Sequence, residues 1–535
     1  MKLITNYLTM LKREFAGYNT AKLIKDLLAG MTAVAVSLPL SLAIGVGSGA
    51  SAAAGMVTAI VGGLVAGTLA GGSYQISGAS GAMAAVLLTI VRQHGLEPML
   101  LASMLAGIIL LVMGVFRLGG LVRLIPLPVI TGFTSGCAVI IAGGQVSNLL
   151  GLGPDDSIWA ALTTGQGLNP AALAVGVAVI LLVFTYPKRL AAYCPPFLAG
   201  IVLATAAGAL LGLPLERVGD IPRSLLLERR LGFGHLQPRL ILQMLPIAVS
   251  IAALCSIESL LCGISAGRMK NEPLEPDIDL ISQGASNLLL PFFGGLPTAA
   301  ALARSSVAIK AGAQTRLTGT FHSLILLLSM FAFGGVMSAI PLSALAGVLM
   351  ATAVRMNDWR TIGQMFTKRH IAAGVQFLIT VLATVLFNVT VAILTGVAVA
   401  AICFLIDISR LHVKVSEVDP DRMSVPYSAD LHGHIRVVHL TGPLYFGTAG
   451  SLARQLPPPE DTRQLILSLR GVPLVDFSGA KALQELCQQL SSQNIEVHLS
   501  AMQPGVAQML ERCGLTHGPE ARRVYANVNH ALAEL

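Results

Sequence analysis

The chain is expected to be a multi-pass α-helical membrane protein of about fourteen helices, built as a 7+7 inverted repeat and followed by a soluble α/β domain. Three observations predict it. Hydrophobic residues make up 54% and charged residues 12% of the 535 positions, with a mean hydropathy of +0.74, a balance found in integral membrane proteins. From Leu27 to Val91 no Asp, Glu, Lys or Arg occurs, enough at roughly 20 residues per crossing for about three helices. Beyond Asp407 charges return, and strand-like runs alternate with helical ones.

The amino-terminal segment, 1–25, carries Lys12, Arg13, Lys22 and Lys25. The apolar run behind it is too long for a signal-peptide core and no cleavage pattern follows, so it stays as the first helix and the segment is cytoplasmic. Apolar runs bounded by Gly, Pro and charge place helices at 26–47, 53–70, 74–92, 98–116, 122–150, 169–186, 192–212, 240–267, 278–293, 296–311, 317–339, 342–356, 370–388 and 390–408. An even count puts both termini in the cytoplasm. The charges agree: Arg117, Arg123, Lys188, Arg189, Arg268, Lys270, Lys310, Arg316, Arg355, Arg360, Lys368 and Arg369 fall in inner connections. The outer connection 214–239 dissents, with Arg217, Arg223, Arg229 and Arg230 against Glu216, Asp220 and Glu228. The net charge of +8 thus sets membrane orientation, and no nucleic-acid partner is expected. The seven scattered cysteines have no paired spacing and read as small apolar fillers, so no metal site is expected.

Two runs open with glycine and small polar residues, which a spanning helix does not ordinarily begin with. They are Gly71 to Met83 and Gly294 to Arg304, third and tenth in order, the same place in each set of seven. Such runs are read as half-helices whose starts meet near the midplane, with free N–H groups and positive dipole ends facing a shared ligand. That ligand is an anion. Glycines 62, 63 and 67 are read instead as positions for tight helix crossing. Arg304 is the only charge in its run, and Glu258 the only charge between Leu240 and Gly267. A charge at bilayer depth costs several kcal/mol unless paired or facing water, so the two mark an ion path.

In the soluble part, strands are expected at 435–440, 464–469 and 495–499, with helices from Gly479, Gly505 and Asn527. His439 and His498 are read as surface or packing residues. No nucleophile, base and acid come together as an active site, so no enzyme and no cofactor is expected.

Several segments in order resemble the SulP anion-transporter family, the sulfate-permease relatives that join a fourteen-helix domain to a cytoplasmic STAS domain. They are Asp26 to Val34 with Pro39, Ile125 to Gly136, Ile257 to Cys262, Gly294 to Arg304, Ile340 to Gly347 and Val475 to Gly479. Residues 39–49, 257–262 and 301–305 resemble the bacterial dicarboxylate-carrier branch. The resemblance implies core and gate bundles, an elevator-like cycle, a homodimer, and the bacterial inner membrane. Its domains are an N-terminal segment 1–25, a transport domain 26–409, a linker 410–434 and a STAS domain 435–535. It names Leu40, Ile44, Ala79, Ser80, Ala303 and Arg304 as substrate-binding positions, with Glu258 facing them. Leu40 and Ile44 stand where many relatives have glutamine and an aromatic, and Gly78-Ala79 where many have Gly-Pro. Binding therefore shifts to backbone amides, Ser80 and Arg304.

Arg304 either forks onto the anion or supplies a fixed charge paired with Glu258. Shielding from water favours a proton on Glu258 and a neighbouring guanidinium opposes it, and the balance decides the coupling ion. The resemblance favours a proton, with sodium held by Glu258 as the alternative. Ser478 resembles a phosphorylated switch serine, although an N-cap role for the helix from Gly479 is the expected one. The expected function is proton-coupled symport of C4-dicarboxylates, ahead of sulfate. Alternatives are a sodium-coupled bicarbonate carrier, an uncoupled anion exchanger or channel, and an anion sensor signalling to a partner of the STAS domain.

Overall fold

Proline starts many of the membrane helices, because its missing N–H falls where a helix has no internal acceptor. Pro170, Pro196, Pro238 and Pro276 each open one. The structure, a computed structural model, describes residues 2–120, 125–153, 158–164, 167–187, 189–190, 194–232, 234, 237–368, 370–387, 389–409, 411–417, 434–456, 462–517 and 522–535. Arg123, Lys188 and Arg369, the starts expected at 122 and 192, and linker residues 418–433 lie outside them.

The chain forms two compact units, Met1–Ala398 and Val399–Leu535. Helices Thr20–Gly47, Ala52–Leu69, Leu96–Val115, Leu127–Leu150, Pro238–Lys270 and Leu317–Ser338 are long and apolar enough to cross a bilayer. Pro170–Thr185, Pro196–Leu210, Leu342–Arg355, Ile371–Leu386 and Leu394–Ile408 are shorter apolar helices. Pro276–Phe293, Gly81–His94 and Leu302–Lys310 complete the expected set. Small residues let these helices approach closely. A Cβ on Gly107 would sit 2.5 Å from the Leu288 nitrogen, so helices Leu96–Val115 and Pro276–Phe293 touch backbone to backbone.

The third and tenth helices begin later than expected, at Gly81 and Leu302, because the residues before them are extended. Ser77 and Gly78 pair antiparallel with Ala300 and Ala299. A π-helical segment, Thr58–Gly62, interrupts the helix beside this pair. Helices Lys2–Glu14, Ile158–Thr164 and Trp359–Thr367, and Phe446–Gln455 in the second unit, were not expected. The buried carboxylate of Asp26 accepts hydrogen bonds from the backbone N–H of Gln314 and Thr315 and from the hydroxyls of Thr315, Thr318 and Tyr18, at 2.6–3.0 Å. It thereby fixes the start of the first spanning helix to the start of Leu317–Ser338.

In the second unit, strand Ile435–Thr441 runs parallel to Gln464–Gly471, then Glu496–Ser500, then Val524–Tyr525. His412–Glu417 pairs antiparallel with Ile435–Thr441, so a strand occupies part of the stretch expected as linker. Gln464–Gly471 is apolar on both faces because both are covered, which explains its unbroken Leu-Ile-Leu run.

Candidate functional site

The two half-helices meet through their extended lead-ins. Beyond the Ser77–Ala300 pairing, the Ala301 N–H donates to Ile76 O at 3.1 Å and the Ile76 N–H donates to Ser305 Oγ at 3.0 Å. Each helix then starts without a side-chain cap: Ser80 and Ala301 occupy the cap positions and neither side chain binds the first turn. The first intrahelical bonds are Ala84 N–H to Ser80 O and Ser305 N–H to Ala301 O. The amides of residues 81–83 and 302–304 therefore lack helical acceptors, and two positive dipole ends lie side by side.

Ser80 turns its hydroxyl away from its own helix and donates to Glu258 Oε1 at 2.8 Å. Glu258 Oε2 is buried without a protein partner. Arg304 is 1% exposed; its Nη2 donates to Ala79 O at 2.9 Å and to Ser41 Oγ at 3.4 Å. Among the described residues no ion pair joins Arg304 to Glu258, so the expected pairing is corrected: the serine and the Ala79 carbonyl stand between the two charges. The guanidinium lies against Gly78, where a Cβ would fall 2.0 Å from Nη1. Leu40 and Ile44 are buried on the helix that carries Ser41, and Ala303 is exposed in the first turn of its helix.

The lead-ins rest on polar residues that the sequence did not single out. Gln75 Nε2 donates to Ser259 O at 3.1 Å and to Asp279 Oδ2 at 3.4 Å. Gln283 Nε2 donates to Ser77 Oγ at 2.8 Å, and Ala300 N–H to Ser259 Oγ at 3.0 Å. Asp279 and His322 are fully buried. A separate cavity of about 870 Å³ lies elsewhere, lined by Gly49, Ser51, Asp220, Glu228, Arg229 and Gly294 among others. None of the expected site residues lines it.

In the second unit, Asp476 caps helix Phe477–Ser492, its Oδ1 accepting from Gly479 N–H at 2.7 Å while Oδ2 accepts from Phe446 N–H at 3.1 Å. The N-cap role expected of Ser478 thus belongs to Asp476, two residues earlier, and Ser478 is exposed in the first turn. His439 is exposed, and His498 is buried against Tyr525 with ring centroids 5.8 Å apart.

Residues 23–383 match the model of the sulfate permease family, and residues 427–531 match the STAS domain. The chain is 29% identical over 528 residues to "Putative sulfate transporter YvdB" of Bacillus subtilis (strain 168), covering 94% of this chain and 96% of that protein. It is 27% identical over 521 residues to "Bicarbonate transporter BicA" of Picosynechococcus sp., covering 92% of this chain and 90% of that one. The fold matches the murine Slc26a9 anion transporter in the inward-facing state, with TM-score 0.85 and 16% identity over 100% of this chain and 94% of that one. The transmembrane domain of a cyanobacterial bicarbonate transporter BicA matches 72% of this chain with 98% of its own length, at TM-score 0.63 and 26% identity.

Proposed function

This chain belongs to the sulfate permease family and is an anion transporter of the membrane, and from that premise we propose proton-coupled symport of C4-dicarboxylates, or of sulfate. One observation carries the reading: the antiparallel pair at Ser77–Gly78 and Ala299–Ala300 sets two uncapped helix starts together, beside a carboxyl held by Ser80. The anion lies between residues 79–83 and 301–304, bound by main-chain amides, with Leu40 and Ile44 as its apolar wall. Arg304 supplies a fixed positive charge behind it and orients the Ala79 peptide. Glu258 takes up the coupling proton, with Oε2 as the free acceptor.

The dicarboxylate assignment draws on residues 39–49, 257–262 and 301–305, whose pattern resembles the dicarboxylate-carrier branch. Bicarbonate is the second reading, favoured by the names of two relatives; Arg304 at the tenth helix speaks against sodium as its co-ion. The proposed cycle moves a core bundle against a gate bundle within a homodimer of the inner membrane, with both termini cytoplasmic. Ser478, exposed at a helix start, is the proposed regulatory position. Uptake of labelled succinate, sulfate and bicarbonate into proteoliposomes tests the whole, with pH and sodium gradients imposed separately. Succinate or sulfate uptake that follows the pH gradient supports it; uptake of bicarbonate alone, driven by sodium, overturns it.

A further inference from the structure

Helix Lys2–Glu14 divides its surface three ways. One face is fixed to the bundle. Arg316 Nε and Nη2 meet Glu14 Oε2 at 2.9 and 2.8 Å, and the Arg316 N–H donates to Glu14 Oε1 at 2.6 Å. The same guanidinium donates to Thr68 O at 2.8 Å and lies 5.2 Å from the Tyr7 ring, whose hydroxyl also donates to Thr68 O. Arg316 directly precedes helix Leu317–Ser338, and Thr68 is at the end of helix Ala52–Leu69. The short helix is thus held where spanning helices reach one membrane surface.

A second face carries Ile4, Leu8 and Leu11, spaced i, i+4, i+7 and so stacked on one stripe. Ile4 is 66% and Leu8 51% exposed, although both are large and apolar. The third face carries Thr5, Asn6, Thr9 and Arg13, all exposed, and Lys12 flanks the stripe one turn beyond Leu8. On the first spanning helix, exposed Leu23, Ile24, Leu27, Leu28 and Met31 mark where the lipid-facing surface begins, and Tyr18, ahead of these positions in the chain, is bonded to Asp26. Helix Lys2–Glu14 ends shortly before these positions in the chain and is pinned through Glu14 to Arg316, at the head of helix Leu317–Ser338.

We infer that helix Lys2–Glu14 is an interfacial anchor, its Ile4–Leu8–Leu11 stripe lying in the acyl boundary of the bilayer and Lys12 and Arg13 among lipid headgroups. A charged amphipathic helix of this kind binds by its apolar area plus attraction to anionic lipid. Through Glu14, Tyr7 and Arg316 it ties the bundle that holds both half-helices to the leaflet.

The test uses the full chain in vesicles with Trp159 and Trp359 replaced by Phe, carrying either Leu8→Trp or Thr9→Trp. Both positions are exposed, and size-exclusion profiles matching the parent verify folding. The inference expects Leu8→Trp emission to be quenched severalfold more by acyl-chain-brominated lipid than by aqueous acrylamide, and Thr9→Trp to show the reverse. Quenching of Leu8→Trp by acrylamide would place the stripe in water; protection from both quenchers would place it under protein, and either result overturns the inference.

Discussion

Arg304 and Glu258 are the two charges the apolar runs made conspicuous, and they act through different neighbours. A buried guanidinium holding a peptide carbonyl through Nη2 fixes the strand from which a half-helix springs, while its Nη1 is buried without a protein partner. Arg304→Ala is expected to lower uptake at least about tenfold, a transition-state loss of about 1.4 kcal/mol or more, with protein still reaching the membrane; near-normal uptake refutes its role. Glu258→Gln keeps an oxygen for the Ser80 hydroxyl but holds no exchangeable charge, so the acid stimulation of uptake should flatten. Ser80→Ala should instead retain the dependence on pH and move its midpoint, because the carboxyl keeps its chemistry and loses a donor. Both are read from uptake against external pH. These residues were legible because a lone charge among apolar neighbours has few explanations. Ser41, Gln75, Ser259 and Gln283 were not, since polar residues in membrane helices also serve packing, and Asp279, at the start of the helix expected at 278–293, was not singled out.

At the scale of elements, the strand pair sets the geometry. Gly78 is required by contact: a Cβ would meet Arg304 Nη1 at 2.0 Å and the Ala59 Cα at 3.3 Å, and the latter is backbone that cannot swing aside. Gly78→Ala should therefore lose uptake much as Arg304→Ala does, with expression retained. Helix positions followed from apolar length, but the extended lead-ins to Gly81 and Leu302 did not, because their pairing joins residues far apart in sequence. Lys2–Glu14 and Trp359–Thr367 escaped for a different reason, being amphipathic rather than uniformly apolar. In the second unit, burial holds the His498 imidazole below its ordinary value, with Arg522 and Arg523 adding to the effect and Glu496 opposing it. The unfolded chain then takes the proton first, so stability is complete above about pH 6.5 and declines as pH falls below it. Hydrogen exchange of strand Glu496–Ser500 in the full chain, corrected for intrinsic rates, should quicken between pH 7 and 5.5, and His498→Phe should remove the change.

For the whole molecule, fold and family stand on agreement over nearly the full chain, whereas substrate and coupling rest on a handful of side chains. Main-chain amides accept many anions, so their presence selects charge sign more than identity. In the proposed site, selection by size falls to the apolar side chains of Leu40 and Ile44, whose spacing from the anion sequence cannot measure. The central claim is that one anion occupies the space between the two half-helix starts. Its most direct measurement is a structure of the protein in saturating succinate or selenate, asking where the anion density lies. The account predicts density within hydrogen-bonding distance of the amides of residues 81–83 and 302–304. Density confined to the cavity at Gly49, Asp220 and Arg229, with none between those helix starts, would contradict it.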